Sequence, residues 1–223
     1  PFADPIISGV KGAYRTSQSA WVARFVQAEY ESKYRYMQRF RTIDFIDTYA
    51  AGFRRAVFLT VGGFDEGFPG ASVEDQEFSF RMAAAGYTLV FVPDARVYHR
   101  HADSIAWYFR KKRNIGFWKV RVLKQHPSKI IRDSHTPQTL KIQLVLSVCL
   151  AATILLAPVI GWIPTAIIVA LFILMGWRET RQCLLAGNLG PAIVSPFLMF
   201  VRSIALAIGL IQGIIFTRCR GKT

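Results

Sequence analysis

The spacing of apolar and polar positions separates an alternating α/β half from an apolar half. An apolar run over 5–10 (PIISGV) predicts a short strand, and Gly9, Gly12 and Ser17 then mark a loop. Over 18–41 apolar positions recur at helical spacing through Trp21, Phe25, Ala28, Tyr34, Met37 and Phe40. That stripe is unusually aromatic, which suits a buried core face or a helix lying on a membrane surface. Alternation over 43–49 (IDFIDTY) predicts a half-buried strand, and the small residues of 50–52 allow a ligand or another element to approach closely. Arg54 and Arg55 open a short helix that stops at Gly62-Gly63. Ser72-x-x-Asp75 has the form of a capping box, with Glu74, Asp75 and Glu77 in the first turn, where the helix dipole favours anions. Gly86 ends that helix, and strands over 87–92 and 95–99, separated by a Pro93-Asp94 turn, complete an α/β pattern.

A helix over 104–125 follows. Its polar face carries Arg110, Lys111, Lys112, Arg113, Lys119, Arg121 and Lys124 among aromatic residues, which predicts an interfacial helix on an anionic leaflet. Beyond it, the runs 142–158, 163–177 and 191–216 are apolar. A membrane span needs about 20 apolar residues, so the first two suit a tight hairpin around 158–164. The third run contains Arg202, which must face protein or water rather than lipid. A third full span would carry Arg218, Arg220 and Lys222 outside, against the positive-inside rule, so that run spans, re-enters or lies in the interface. The chain accordingly divides into 1–103 (α/β), 104–141 (basic helix and linker) and 142–223 (two or three membrane helices).

The formal net charge of +14 raises a nucleic-acid reading, which the distribution of charge removes. Residues 1–109 carry 12 basic and 12 acidic side chains, whereas 110–141 carry 10 basic residues against Asp133 alone. The surplus borders the most apolar stretch, where it meets lipid head groups and places the α/β part on the cytoplasmic side of a multi-pass inner- or plasma-membrane protein. No nucleic-acid partner is expected. The three cysteines are widely spaced and form neither a metal motif nor a disulfide framework, in keeping with a reducing compartment. The abrupt start at Pro1, without a basic leader, predicts the C-terminal part of something longer.

Candidate chemistry concentrates in 62–101. Glu74 and Asp75 diverge by about 100° on a helix, so one carboxylate faces a cleft while the other caps. Beside Phe68, Phe78 and Phe80 the cleft-facing acid suits a general base, although acids at a helix start are also ordinary capping chemistry. His99 and His101 project to one side of a strand end and could meet a metal or a phosphate; by themselves they are an incomplete metal set. Arg54 and Arg55 lack a nearby acid and suit phosphate or a carboxylate, while Arg81 pairs with Glu77 at i,i+4.

The order R-R-A-V-F-x-x-V-G-G-F-D-E, then E-D-x-E-F-S-x-R-x-x-x-G-Y, then V-P-D-A-R-V-Y-H resembles the C-terminal half of the catalytic domain of family 2 glycosyltransferases, inverting enzymes that use nucleotide-sugars. The resemblance covers about 1–135, with its core at 54–99. It implies a GT-A-type α/β fold, here partial and followed by transmembrane helices. It further implies a nucleotide-sugar donor, a divalent cation (Mg or Mn), and a glycan or polyprenyl-linked acceptor. Asp75 then corresponds to the catalytic base, with Glu74 beside it. His99, with His101 near it, corresponds to a metal- and pyrophosphate-holding histidine. Gly62, Gly63 and Asp65 shape the acceptor cleft, Arg54 and Arg81 lie near substrate, and Arg110 and Arg113 are candidates to meet the diphosphate or the membrane. The family's D-x-D is not found, since Asp44 and Asp47 are spaced D-x-x-D; the first strand–helix units and the Q-x-x-R-W of processive synthases are missing too. The expectation is therefore a fragment that does not bind donor or turn over alone. A processive polysaccharide synthase and a non-catalytic membrane scaffold are the alternatives.

Overall fold

In the computed structural model, which describes residues 1–220 with side chains through Thr217, β1 (Ile7–Arg15) is the centre of a three-stranded sheet. It runs antiparallel to β2 (Ala51–Phe53) and parallel to β3 (Thr88–Tyr98). Seven of its nine residues are buried, because helices cover it. Gly9 and Gly12, expected in a loop, lie inside β1. β3 is one strand where two were expected. The register between β1 and β3 shifts between Lys11 and Ala13, opposite Phe91 and Arg96, and Pro93 falls in that irregular stretch of an edge strand, where its missing N–H costs no ladder bond.

The strand expected over 43–49 does not form. Only Ile43 bridges to Leu89, and Thr48–Ala50 is a 3-10 turn. Its two aspartates are drawn to different places: Asp44 accepts from Ser134 and Lys129, and Asp47 turns into the sheet. The capping box is also replaced. Val73 precedes α3 (Glu74–Ala84) without a side-chain cap, and Glu74 reaches back to accept from the Ser72 N–H at 2.6 Å.

α1 (Trp21–Met37) bridges two cores. Its C-terminal residues Tyr34 and Met37 join Tyr14, Phe78, Met82 and Leu89 under the sheet. Its N-terminal residues Val22, Phe25 and Val26 join Tyr108, Phe172, Cys183, Leu198 and Met199 in a helical layer. Apart from the exposed Trp21 and the half-buried Phe40, the aromatic stripe is thus core. α2 (Arg55–Thr60) ends in the Gly62-Gly63 turn, where both φ angles are positive, as only glycine adopts readily.

α4 (Ile105–Gln125) is less an interfacial helix than a strut. It lies against α8 (Leu189–Arg220), and Gly116, Gly209 and Gly213 sit where an added Cβ would strike the neighbouring backbone. α5 (Gln138–Ile160) and α6 (Ile163–Met175) form the expected hairpin, turned at Gly161, with Leu155, Val159 and Ile163 bare at its tip. α7 (Trp177–Leu185) follows α6 after a 49° bend. Two helices, α5 and α8, are long and apolar enough to cross a membrane, or three spans if α6 and α7 count as one broken span. They differ in surroundings, since 44% of the apolar window of α8 is buried in protein against 22% for α5. The side chains of Arg218, Cys219, Arg220 and Lys222, on which the orientation of α8 would turn, lie outside the described residues.

Candidate active site

The start of α3, the turn after Asp47, the middle of β1, the residues after β3 and one face of α4 converge on a polar cluster. Asp75 is half-buried there. Its Oδ2 accepts from the Thr48 N–H at 3.2 Å and its Oδ1 from the Gln76 N–H at 2.8 Å. Burial, then the nearby Asp47 and Glu74 carboxylates, push its pKa up to about 7; the two N–H bonds oppose the shift without cancelling it. Asp75 and Glu74 therefore divide as helix geometry requires, Glu74 holding the Ser72 N–H and Asp75 facing the cluster.

Asp47 anchors the site from below. Its Oδ1 accepts from the buried Lys11 Nζ and from the Tyr14 hydroxyl. Burial pulls the Lys11 ammonium below its ordinary value, with Asp47 opposing. Lys111 of α4 stands over the Tyr49 ring at 5.6 Å. Burial and the adjacent Lys112 lower its pKa, and the Asp47 and Asp75 carboxylates oppose that shift.

The two histidines have different surroundings. His99 lies 4.1 Å from the Tyr49 ring and 5.3 Å from Tyr14, centroid to centroid, and its Nε2 is buried without a hydrogen-bond partner. Burial and Lys111 lower its pKa, so the ring is neutral at physiological pH. His101 is buried, stacks on Tyr30, and has its Nε2 2.9 Å from Gln27 Oε1. Burial first, then His99, lower its pKa to about 4. The metal-ligand expectation for His101 gives way to this packing: its ring nitrogen is occupied and shielded.

The remaining expected residues lie outside the cluster. Arg81 grips both Glu77 oxygens and donates to the Val61 and Gly63 carbonyls at 2.6 Å, so it pins the Gly62-Gly63 turn to α3. Asp65 accepts from the Gly67 N–H and from Arg121, both at 2.8 Å. Arg54 donates to the carbonyls of Phe2, Asp4 and Ile7. All three are engaged in ties within the protein. Arg110 and Arg113 are exposed, and it is Lys111 between them that turns to the cluster. Lys11, Tyr14, Asp47, Tyr49 and Lys111 were not expected from the sequence as site residues, although Lys111 was placed on a basic helix face and Asp47 in the D-x-x-D pair. Lys11 carried a signal, being the one charge in the apolar run over 5–10 and beyond to Tyr14. A cavity of about 470 Å³ opens elsewhere, between the end of α3 and the segment around Asp44, Lys129 and Ser134; Asp75 does not line it.

The residues present do not compose a metal centre. Among the described residues no group of three His, Cys, Asp or Glu side chains is placed to hold an ion, and of the two histidines expected to bind metal it is His99 whose buried Nε2 has no hydrogen-bond partner.

Compared with known proteins, residues 5–178 match the family model described as Glycosyl transferase family group 2. No curated protein matches the chain.

Proposed function

Because the chain belongs to glycosyl transferase family group 2, we propose that it carries the acceptor-activating side of an inverting, membrane-attached sugar transfer. The donor is a nucleotide-sugar and the acceptor a hydroxyl of a glycan or lipid-linked glycan, with the sheet read as part of a GT-A-type domain. The observation that carries this reading is the environment of Asp75, whose carboxyl is raised to about 7 among Asp47, Glu74, Tyr49 and Lys111.

A carboxylate with that proton affinity is matched to general-base work near neutral pH. Asp75 takes the proton of the acceptor hydroxyl as its oxygen bonds the anomeric carbon. The bond from that carbon to the donor phosphate breaks on the opposite face, and the nucleoside diphosphate leaves with the electron pair. Thr48 and Gln76 N–H groups hold the carboxylate in place, and Asp47, locked by Lys11 and Tyr14, supplies the fixed negative charge that raises its basicity. His99 Nε2 is free to meet the diphosphate or an ion bound with it. A divalent cation, implied by the family, would neutralise charge on the leaving group. The apolar α5–α6 hairpin and α8 support membrane attachment.

The test is Asp75→Asn in the intact enzyme. Transfer should fall by about 10²-fold or more, the usual worth of a general base. In the parent, kcat/KM should rise with pH through about 7 as Asp75 ionises, and this inflection should vanish in the variant. Near-normal turnover of a folded Asp75→Asn enzyme removes Asp75 from the mechanism.

A further inference from the structure

Away from the candidate active site, four arginines surround one small cleft between α1 and α7. Arg35 lies in the last turn of α1 and Arg39 in the turn that follows it, while Arg178 and Arg181 lie one turn apart on α7; both pairs line a cleft of about 170 Å³. Ser32 and Gln182 also line it, both buried. Gln182 Oε1 accepts from Arg35 Nη2 and so orients that guanidinium. Among the described residues no carboxylate pairs with any of the four. Glu31 on α1 is held by Gln27. Glu179 on α7 is buried.

Two features say what the cleft is for. Unpaired guanidinium groups gathered at one place repel one another, and an anion bound among them removes that cost. Guanidinium forks match phosphate oxygens in pairs, which lysines do not. The position specifies the source of the phosphate. α6 carries no charge and is apolar but for the buried Thr165, and the chain bends by 49° at its end into α7, where the exposed Trp177 and then Arg178 follow at once. That is the order met on leaving a hydrocarbon layer: apolar helix, interfacial tryptophan, cationic rim.

We infer that the α1–α7 cleft binds the phosphate of an anionic membrane lipid and so fixes the seating of the α/β unit on the bilayer. The inference rests on the membrane reading above and is independent of the role of Asp75. Arg35 belongs to the helix whose other residues, Gln27, Tyr30 and Tyr34, pack behind the active-site histidines and Tyr14, and Arg39 follows directly after it. The lipid clamp and the active site therefore share α1.

The test titrates the purified full chain with phosphatidic acid, phosphatidylglycerol and phosphatidylcholine, counting retained lipid by native mass spectrometry. One anionic lipid should be retained over phosphatidylcholine, and Arg178→Gln/Arg181→Gln should weaken retention by about tenfold or more, as loss of charge-assisted bonds does. Arg15→Gln/Arg96→Gln, which removes the same charge from exposed positions elsewhere, should leave retention unchanged. Arg178→Lys/Arg181→Lys keeps the charge without the forks and should also weaken it; this variant decides the matter if the glutamine variant fails to fold. Equal retention in the cleft variants, or equal loss in the control, overturns the site. Inorganic phosphate that displaces the lipid at micromolar concentration and constant ionic strength overturns the lipid as its source. A chain that does not enter phosphatidylcholine vesicles at all would instead sink the membrane reading itself.

Discussion

Asp75 pays for its chemistry in stability. Its carboxyl ionises near 7 in the folded protein against an ordinary value of 3.8, because burial and two neighbouring carboxylates oppose the charge. The unfolded chain releases that proton at lower pH, so ionisation favours unfolding between those values. The contribution favourable to the fold is fully present below pH 3.8 and lost as pH rises through about 7. Asparagine carries no such dependence. Asp75→Asn should melt a few degrees above the parent at pH 8 and converge with it near pH 4, followed by thermal unfolding across that range. A melting difference that does not change with pH would mean that Asp75 is not perturbed. At this scale the sequence showed the acid at a helix start. The family resemblance pointed to Asp75, but the helix start alone did not show which of two adjacent acids faces the site, because Glu74 is diverted by a bond to Ser72 that only the loop geometry supplies. Strand alternation alone did not separate His99 from His101 either; the resemblance favoured His99, and the residues that enclose His101, Gln27 and Tyr30, come from a distant helix.

α8 illustrates what an element gains from its partners. Arg202 in this apolar helix is buried and donates to Glu29 of α1 and Gln143 of α5. Glu29 also accepts from the Tyr108 hydroxyl at 2.9 Å and pairs with Lys112 at 3.2 Å, so one network ties α8 to α1, α4 and α5. Burial alone would raise the Glu29 carboxyl; Lys112 and Arg202 reverse this and hold it below the usual carboxylate range. Removing one partner from a buried pair leaves an uncompensated charge. Arg202→Ala should therefore cost about 3–5 kcal/mol. Arg202→Met with Glu29→Gln should recover part of it, read from helical circular dichroism on heating. A single variant as stable as the parent would show that the network does not hold the helices together. The need for Arg202 to face protein was legible from its apolar surroundings. The identity of its partner, 173 residues away, was not.

For the whole molecule, the α5–α6 hairpin is the part with least protein around it. Cys149 of α5 is exposed on the isolated chain, as are Val145, Val148 and Leu155. If the hairpin lies in hydrocarbon, that exposure is to lipid. With Cys183→Ser and Cys219→Ser in place, Cys149 should resist a membrane-impermeant maleimide in intact vesicles and label fully after denaturation in SDS. Prompt labelling in intact vesicles would place the hairpin in water. The remaining long helix differs in kind: α8 lies along α4 through Gly116, Gly209 and Gly213, so the α/β unit and the helical layer are held together by packed helices.

The sequence by itself determined what is local. Helical spacing, apolar run length and the position of charge marked the α/β part, the hairpin and the acidic start of α3, because these signals repeat over a few residues. It also carried the family, through motifs whose order survives in the chain. Tertiary structure decided which charged side chain meets which. Lys11 finds Asp47 at a separation of 36 residues, and Arg202 finds Glu29 at 173. Arg81 and Asp65 become ties of a turn, and Arg35, Arg39, Arg178 and Arg181 gather in one cleft. Those pairings follow from how the sheet, α3 and the helices α1, α4, α7 and α8 pack about one another. A buried charge must find a partner, and the fold alone sets which partner is within reach.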